Sequence, residues 1–438
     1  MTTVLEVAQF APAPAARWSG RPSTLGYYAF MALGGVVGLM KGVAYAKILG
    51  SEGLGFYALV VLIAAYAEYA CHLGLYPGLE CILPPLYGAG RTEEAENLRN
   101  MVAGYVVLLI AGLGVVALVG VTFVPAAQAA LRPVLLLSVP LIAASILLAL
   151  VIQDLRSRSR PLIFATVLFG RALLTFTAGV LAAHMYGYTG ALIAEIIVVF
   201  ALFAVTRRAA CEHFRLQLGD WRRLRPVMAV GIPLGLKNIT NQLALTMDRW
   251  CVVSALGLVA FSQYTFALIL VSVGLTVHAT IWVHFGPRRA HAFGQNGDLR
   301  KLCRSLRRLC LTIVLLFVLA AVPFGYLVDL VVPRYFAEYE EGARLLPIIY
   351  WGVCGQMVTL YEWVPMVLKR TGALLAVTVV CTAVTAALYA LGMALGWSLI
   401  GFAWVFVFGR LLMAAGYLGT AEVLTARRAS LMRGREVA

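Results

Sequence analysis

Charge is what this sequence has least of. Only 13% of its 438 residues are Asp, Glu, Lys or Arg, while 62% are hydrophobic, and the mean hydropathy is +0.88. A soluble domain carries about a quarter of its residues as charge to keep its surface in water, so a soluble globular chain is excluded. Paired cysteines are also lacking: Cys71, Cys81, Cys211, Cys251, Cys303, Cys310, Cys354 and Cys381 are scattered, with no C-x-x-C among them. That spacing reads as core filling and supports neither a disulfide framework nor a metal site. There is no G-x-x-x-x-G-K-[ST], no H-E-x-x-H and no G-x-S-x-G, so ATP hydrolysis, zinc proteolysis and serine-hydrolase chemistry have no support. Residues 1–20 hold Pro12, Pro14 and Arg17 but no apolar core followed by a small-residue cleavage site. The first apolar helix is therefore expected to insert itself. The reading is a non-enzyme with no cofactor.

What the chain has is apolar runs, each long enough to cross a hydrocarbon core of roughly 30 Å. Twelve are expected, at 24–46, 54–80, 100–123, 131–153, 161–183 and 188–206, then 226–247, 255–284, 308–331, 344–367, 372–394 and 397–420. The fold class is all-α: a polytopic membrane protein of two six-helix bundles, 24–206 and 226–420. A cytoplasmic segment 1–23, a basic linker 207–225 and a basic tail 421–438 complete the division. The net charge of +15 lies mostly on one set of alternating connections, including Arg156, Arg158, Arg160, Arg207, Arg208, Arg222, Arg300, Lys301 and Arg304. The opposite set is poor in base; around 329–343 it holds Asp329, Glu338, Glu340 and Glu341 against Arg334. The positive-inside rule then places both termini in the cytoplasm. Nucleic acid is not a partner on this reading, and Arg288 and Arg289 serve as anchors to anionic lipid.

An internal repeat is visible at a shift of 207 residues. Leu49-Gly50 with Tyr57 falls on Leu256-Gly257 with Tyr264, and Gly90 falls on Gly297; Gly187-Tyr188 falls on Gly396-Trp397 at a shift of 209. With an even number of helices per half the repeats are parallel, and two such bundles enclose a cavity, a transporter architecture.

These residues resemble the MOP flippase superfamily, in its polysaccharide-transporter branch. The segment from Ala46 through Gly50, Gly53, Gly55 and Tyr57 to Leu59 looks like that branch's signature turn, and Asp248-Arg249 followed by Gly257 and Tyr264 looks like its counterpart. Ala70-Cys71-His72-Leu73-Gly74-Leu75 is similar too, though the family usually has an acidic residue where His72 stands. The resemblance implies a V-shaped pair of bundles, alternating access, and passage of undecaprenyl-linked oligosaccharides across a bacterial inner membrane. A polysaccharide polymerase and other assembly proteins would be partners. The relative that flips the peptidoglycan precursor usually has fourteen helices; no extra pair is found here.

Charges at membrane depth are costly and mark function by default. Lys41, on one face with Gly34, Gly38 and Tyr45, reads either as a cavity cation or as a lysine snorkelling to the interface. Lys237, Asn241 and Asp248 form one stripe on the seventh helix, which either lines a cavity or makes a buried network. Lys41 falls on Asp248 in the repeat, which suggests an ion pair acting as a gate, with Tyr57 and Tyr264 beside it. Glu68 and His72, four apart, suggest proton coupling or a structural hydrogen bond; an H⁺ or Na⁺ gradient is the expected drive, if any. Arg171, Arg249 and Arg410 complete the cations, with Glu195, Asp154 and Glu362 as available partners. Lys237 and Arg249 are the preferred pyrophosphate contacts, since guanidinium offers a fork and lysine a point charge. Two other functions remain open: a cation-coupled multidrug exporter, whose cavity would favour acids and aromatics, and a membrane polymerase or ligase, which would need a long loop.

Overall fold

A computed structural model describes residues 21–436 apart from 73, 124–130, 159, 211–213, 297–298 and 369. Arg288, Arg289, Gly297 and most of the 421–438 tail lie outside the residues whose side chains are described. The described chain is helical, with no strand. The helices are α1 (Arg21–Cys71), α2 (Leu75–Gly88), α3 (Thr92–Thr122), α4 (Leu131–Ser157), α5 (Pro161–Ala210) and α6 (Trp221–Asn296). They continue as α7 (Leu299–Tyr335), α8 (Glu340–Val358), α9 (Trp363–Val367), α10 (Thr371–Ala394) and α11 (Leu399–Glu436). In lipid a backbone amide has no water to bond, so a spanning segment must close its hydrogen bonds internally, and the helix does so.

Nine helical stretches among the described residues are long and apolar enough to cross a membrane, which makes the chain a multi-pass membrane protein. Three of these, at 43, 49 and 62 residues, far exceed the ~20 residues one crossing needs. Each is broken by a glycine: Gly50 (φ 66°, ψ −177°) in α1, Gly187 (φ 62°, ψ −152°) in α5 and Gly257 (φ 84°, ψ −176°) in α6. That backbone region is open essentially to glycine alone. The expected count of twelve is not shown: the described residues give nine such stretches, three of them long and glycine-broken.

The breaks keep the register of the repeat. Gly50 and Gly257 share one conformation 207 residues apart, and Gly187 and Gly396 both have positive φ at a shift of 209. The turns after α4 and α9 match as well. Arg158 N donates to Asp154 O and Arg160 N to Leu155 O; 210 residues on, Leu368 N donates to Val364 O and Arg370 N to Pro365 O.

Two expected helices are interrupted. The second does not run unbroken to residue 80: α1 ends at Cys71, a turn follows with Gly74 at φ 80°, and α2 starts at Leu75. The tenth is divided by a 3₁₀ turn over Thr359–Glu362, all four residues buried.

The chain forms two compact units: residues 1–49 with 56–239, and residues 50–55 with 240–438. In the first, backbones touch where glycines permit. A Cβ on Gly231 would lie 1.9 Å from Gly74 O, and one on Gly78 would lie 2.4 Å from Val227 O. This close approach fastens the start of α6 to the turn before α2. The linker ahead of α6 is fastened to α3: Gln217 N donates to Asn100 O, Arg215 N to Asn100 Oδ1 and Tyr105 Oη to Gly219 O. In the second unit, small residues again admit neighbours, with Gly352 against Phe406, Gly409 against Thr385 and Gly416 against Val377.

Gly257 separates backbone strain from packing, because a Cβ there meets nothing within 4 Å. Gly257→Ala is expected to destabilise the protein by about 1–3 kcal/mol, read as a lower melting temperature in detergent. Gly38→Ala, in open space inside a helix, is expected to be neutral or stabilising by ~0.4–1 kcal/mol.

Candidate functional site

Each unit holds a buried polar centre, and the repeat relates the two. In the first unit, Lys41 Nζ sits 3.0 Å from Glu195 Oε1, and Tyr57 Oη donates to Glu195 Oε2 at 2.8 Å. Both oxygens of the carboxylate are therefore engaged. The ammonium also lies 5.6 Å from the Tyr45 ring centroid and 5.9 Å from that of Tyr57, and the two rings meet edge to face. Lys41 is 18% exposed and Glu195 9%, so Lys41 does not snorkel to water; it is held by a buried acid.

In the second unit, Tyr264 Oη donates to Asp248 Oδ2 at 2.7 Å. Asp248 Oδ1 is buried with no hydrogen-bond partner among the described residues. Arg410 donates through Nη1 to Gln356 Oε1 and through Nη2 to Leu245 O, with its guanidinium 4.8 Å from the Phe406 ring centroid. Tyr57 and Tyr264 are repeat equivalents, and each gives its phenol to a buried carboxylate. The charges around them are exchanged: position 41 is a cation paired with an acid on α5, while position 248 is an acid and the buried cation stands on α11.

Several expectations change. Lys41 takes Glu195 of its own unit as partner, not Asp248, because the acid on α5 reaches it directly. Glu68 and His72 do not bond to each other. Helical i, i+4 geometry fails there since α1 ends at Cys71, and the His72 ring packs against Tyr76 at 5.7 Å. Glu68 is half-buried and makes no direct hydrogen bond or salt bridge among the described residues, but it lies within electrostatic reach of Arg171. The α6 stripe is divided, with Lys237 in the first unit and Asn241 and Asp248 in the second. Arg171 and Arg249 are both half-buried, one in each unit, and neither has a carboxylate at ion-pair distance among the described residues. Glu362 accepts from Trp282 Nε1, and Thr359 Oγ1 lies 3.2 Å from His278 Nε2.

One cluster was not foreseen. Arg99 and Asp154, both fully buried, pair at 2.8 Å; Arg158 bonds Asp154 and Glu96, and Tyr87 donates to Asp154. Burial, then the hydrogen bond to Asp154, hold the Tyr87 phenol well above its usual range, so it remains a donor. Phe214 of the linker covers the Arg99 guanidinium at 5.3 Å. Asp154 and Arg99 each fall one residue outside an expected span, 131–153 and 100–123, so nothing in their positions showed that they meet. No group of His, Cys, Asp and Glu able to hold a metal occurs among the described residues.

No family model matches the chain, and neither does any curated protein. Solved structures do. It is similar to a structure described as the lipid II flippase MurJ in an inward closed conformation, with a TM-score of 0.74 at 14% identity, covering 90% of this chain and 87% of that one. The fold is that of MOP-superfamily transporters. An outward-facing multidrug resistance MATE family transporter of the superfamily gives 0.63 at 15% identity, covering 94% and 98%. A MOP superfamily transporter from Pyrococcus furiosus, described as having a binding pocket of reverse polarity, gives 0.59 at 13% identity, covering 92% and 96%.

Breaking a buried pair strands a charge and costs about 3–5 kcal/mol. Arg99→Met leaves Asp154 with Arg158 and Tyr87 and is expected to cost at most about 3 kcal/mol, read as a drop in melting temperature. Arg156→Met, at the exposed pair with Glu80, is expected to cost under ~1 kcal/mol.

Proposed function

We propose that this protein is a flippase that moves undecaprenyl-pyrophosphate-linked oligosaccharides across a bacterial inner membrane by alternating access, for surface polysaccharide biosynthesis. The observation that carries the reading is the pair Arg171 and Arg249: guanidiniums within the spanning helices, one in each unit, neither in a direct salt bridge among the described residues, with Arg171 facing Glu68 and Glu195 only at longer electrostatic range. A cation left unpaired at membrane depth costs at least ~2.5–3.5 kcal/mol on insertion scales, a cost that an anionic ligand offsets. A pyrophosphate suits the bidentate fork of each arginine. Lys237 in the first unit and Arg410 in the second add further positive charge, and the polar groups proposed to serve the substrate are Lys41 and Tyr57 in the first and Asn241, Asp248 and Tyr264 in the second. A cationic-drug exporter would favour acids and aromatics in its cavity, and the buried acids Glu195 and Asp154 are here taken up by cations of their own unit. Support from the fold is coarser: the similar structures are transporters, one of them described as a lipid II flippase.

Both termini are placed in the cytoplasm by the charge asymmetry, and a polymerase and other assembly proteins would receive the product. If a proton gradient drives the cycle, Glu68 is the acid free to carry it, and Glu195 is occupied by Lys41.

The test is a labelled lipid-linked oligosaccharide, extracted from the host, in vesicles containing the purified protein. Wild-type protein is expected to change its leaflet accessibility. Arg171→Gln and Arg249→Gln are each expected to slow that change at least tenfold at an unchanged melting temperature. No change by the wild type with its cognate lipid would falsify the reading, and uptake of a cationic dye in its place would favour the exporter. Glu68→Gln is expected to flatten the dependence of the rate on the proton gradient; an unaltered dependence removes Glu68 from coupling.

A further inference from the structure

In the second unit, α7 and α8 enclose a cavity of about 180 Å³ away from the charges discussed above. Its walls come from one face of each helix: Phe324, Gly325 and Asp329 on α7, and Ala343, Tyr350 and Trp351 on α8. The space exists because small residues meet there; a Cβ on Gly325 would touch nothing within 4 Å. The aromatic wall is fixed in place, since Phe324 and Tyr350 stack at 5.6 Å and Tyr350 Oη donates to Phe317 O at 2.6 Å.

Asp329 is the anomaly. It stands six residues before the end of α7, about 9 Å along the axis, among exposed apolar neighbours Tyr326, Leu327 and Leu330. It makes no ion pair or hydrogen bond among the described residues. The arginines nearest in sequence are engaged elsewhere, Arg334 over the Tyr335 ring and Arg344 with Glu340 at 2.8 Å. An exposed carboxylate at a helix end, beside exposed apolar side chains and with no direct partner, attracts a cation from its surroundings. Three aromatic rings beside it add attraction for a cation over their faces.

We propose that this cavity binds the protonated amine of a phosphatidylethanolamine headgroup, with Asp329 as its counter-ion and Phe324, Tyr350 and Trp351 as its aromatic wall. Size favours a headgroup over a drug, whose pockets run to roughly 300–1,000 Å³. Donor chemistry favours a primary amine over a quaternary one. A carboxylate only accepts hydrogen bonds, and a primary ammonium brings three N–H donors where choline brings none. The site's place within two turns of a helix end sets the amine at headgroup level, with the acyl chains along the exposed leucines.

Full-length protein in nanodiscs of equal phosphatidylethanolamine, phosphatidylcholine and phosphatidylglycerol, analysed by native mass spectrometry, tests this. Wild-type protein is expected to retain phosphatidylethanolamine over phosphatidylcholine. Asp329→Asn is expected to cut that retention at least fivefold while phosphatidylglycerol is unaffected. Asp329→Glu is expected to keep most of it, and Trp351→Leu to lose part. Melting temperatures check that each exposed-site variant is folded. Equal retention by wild type and Asp329→Asn overturns the proposal, as does equal retention of the two zwitterionic lipids. Displacement of the lipid by ethidium, in the wild type only, would assign the cavity to soluble cations and overturn the lipid assignment.

Discussion

A peptide group in hydrocarbon has no water to fall back on, and the rest of this structure follows from that constraint. Every spanning segment closes its own hydrogen bonds as a helix, so the chain can reverse only where a residue tolerates a conformation that ends one helix and admits the next. Gly50, Gly187, Gly257 and Gly396 occupy those points with positive φ. Because the two halves are repeats, the same requirement recurs at the same register, and the glycines recur with it. Elsewhere glycine serves a different end, letting the backbones of Gly74 and Gly231 approach closely enough to join the start of α6 to the first unit.

Charge within such a fold is expensive, and the molecule treats its buried charges in two ways. Some are fully matched, as when Glu195 gives one oxygen to Lys41 and the other to Tyr57, or when Asp154 gathers Arg99, Arg158 and Tyr87. Others lack a direct partner among the described residues, as with Asp248 Oδ1 and Arg249 Nε, or meet opposite charge only at a distance, as Arg171 does Glu68 and Glu195. Matched groups hold the bundle in one arrangement. Unmatched groups are where a charged ligand gains most, since the cost of burying the protein's own charge has already been met in folding.

The exchange of charge between repeat-equivalent positions shows how duplicated scaffolds diverge. Tyr57 and Tyr264 keep the same role toward a carboxylate, but the acid moves from α5 in one unit to α6 in the other. Backbone breaks recur within the chain because only glycine fits them; side-chain charges are under no such backbone constraint and can change place.

The all-α class, the apolar runs, the repeat and its glycine turns were legible in the amino-acid order, because hydrophobic length and glycine's backbone range are local properties. Lys41, Glu195, Tyr57, Asp248, Tyr264, Arg171 and Arg410 could be singled out the same way, as polar residues in apolar surroundings. Their pairing could not. Lys41 and Glu195 are 154 positions apart, and only the packing of α5 against the first helix decides that they meet. The break at Cys71 that separates Glu68 from His72, the burial of Arg99 and the unpaired state of Asp329 belong to the tertiary structure for the same reason. A charge's partner is set by which helix faces lie together in space, and one-dimensional order does not contain that distance.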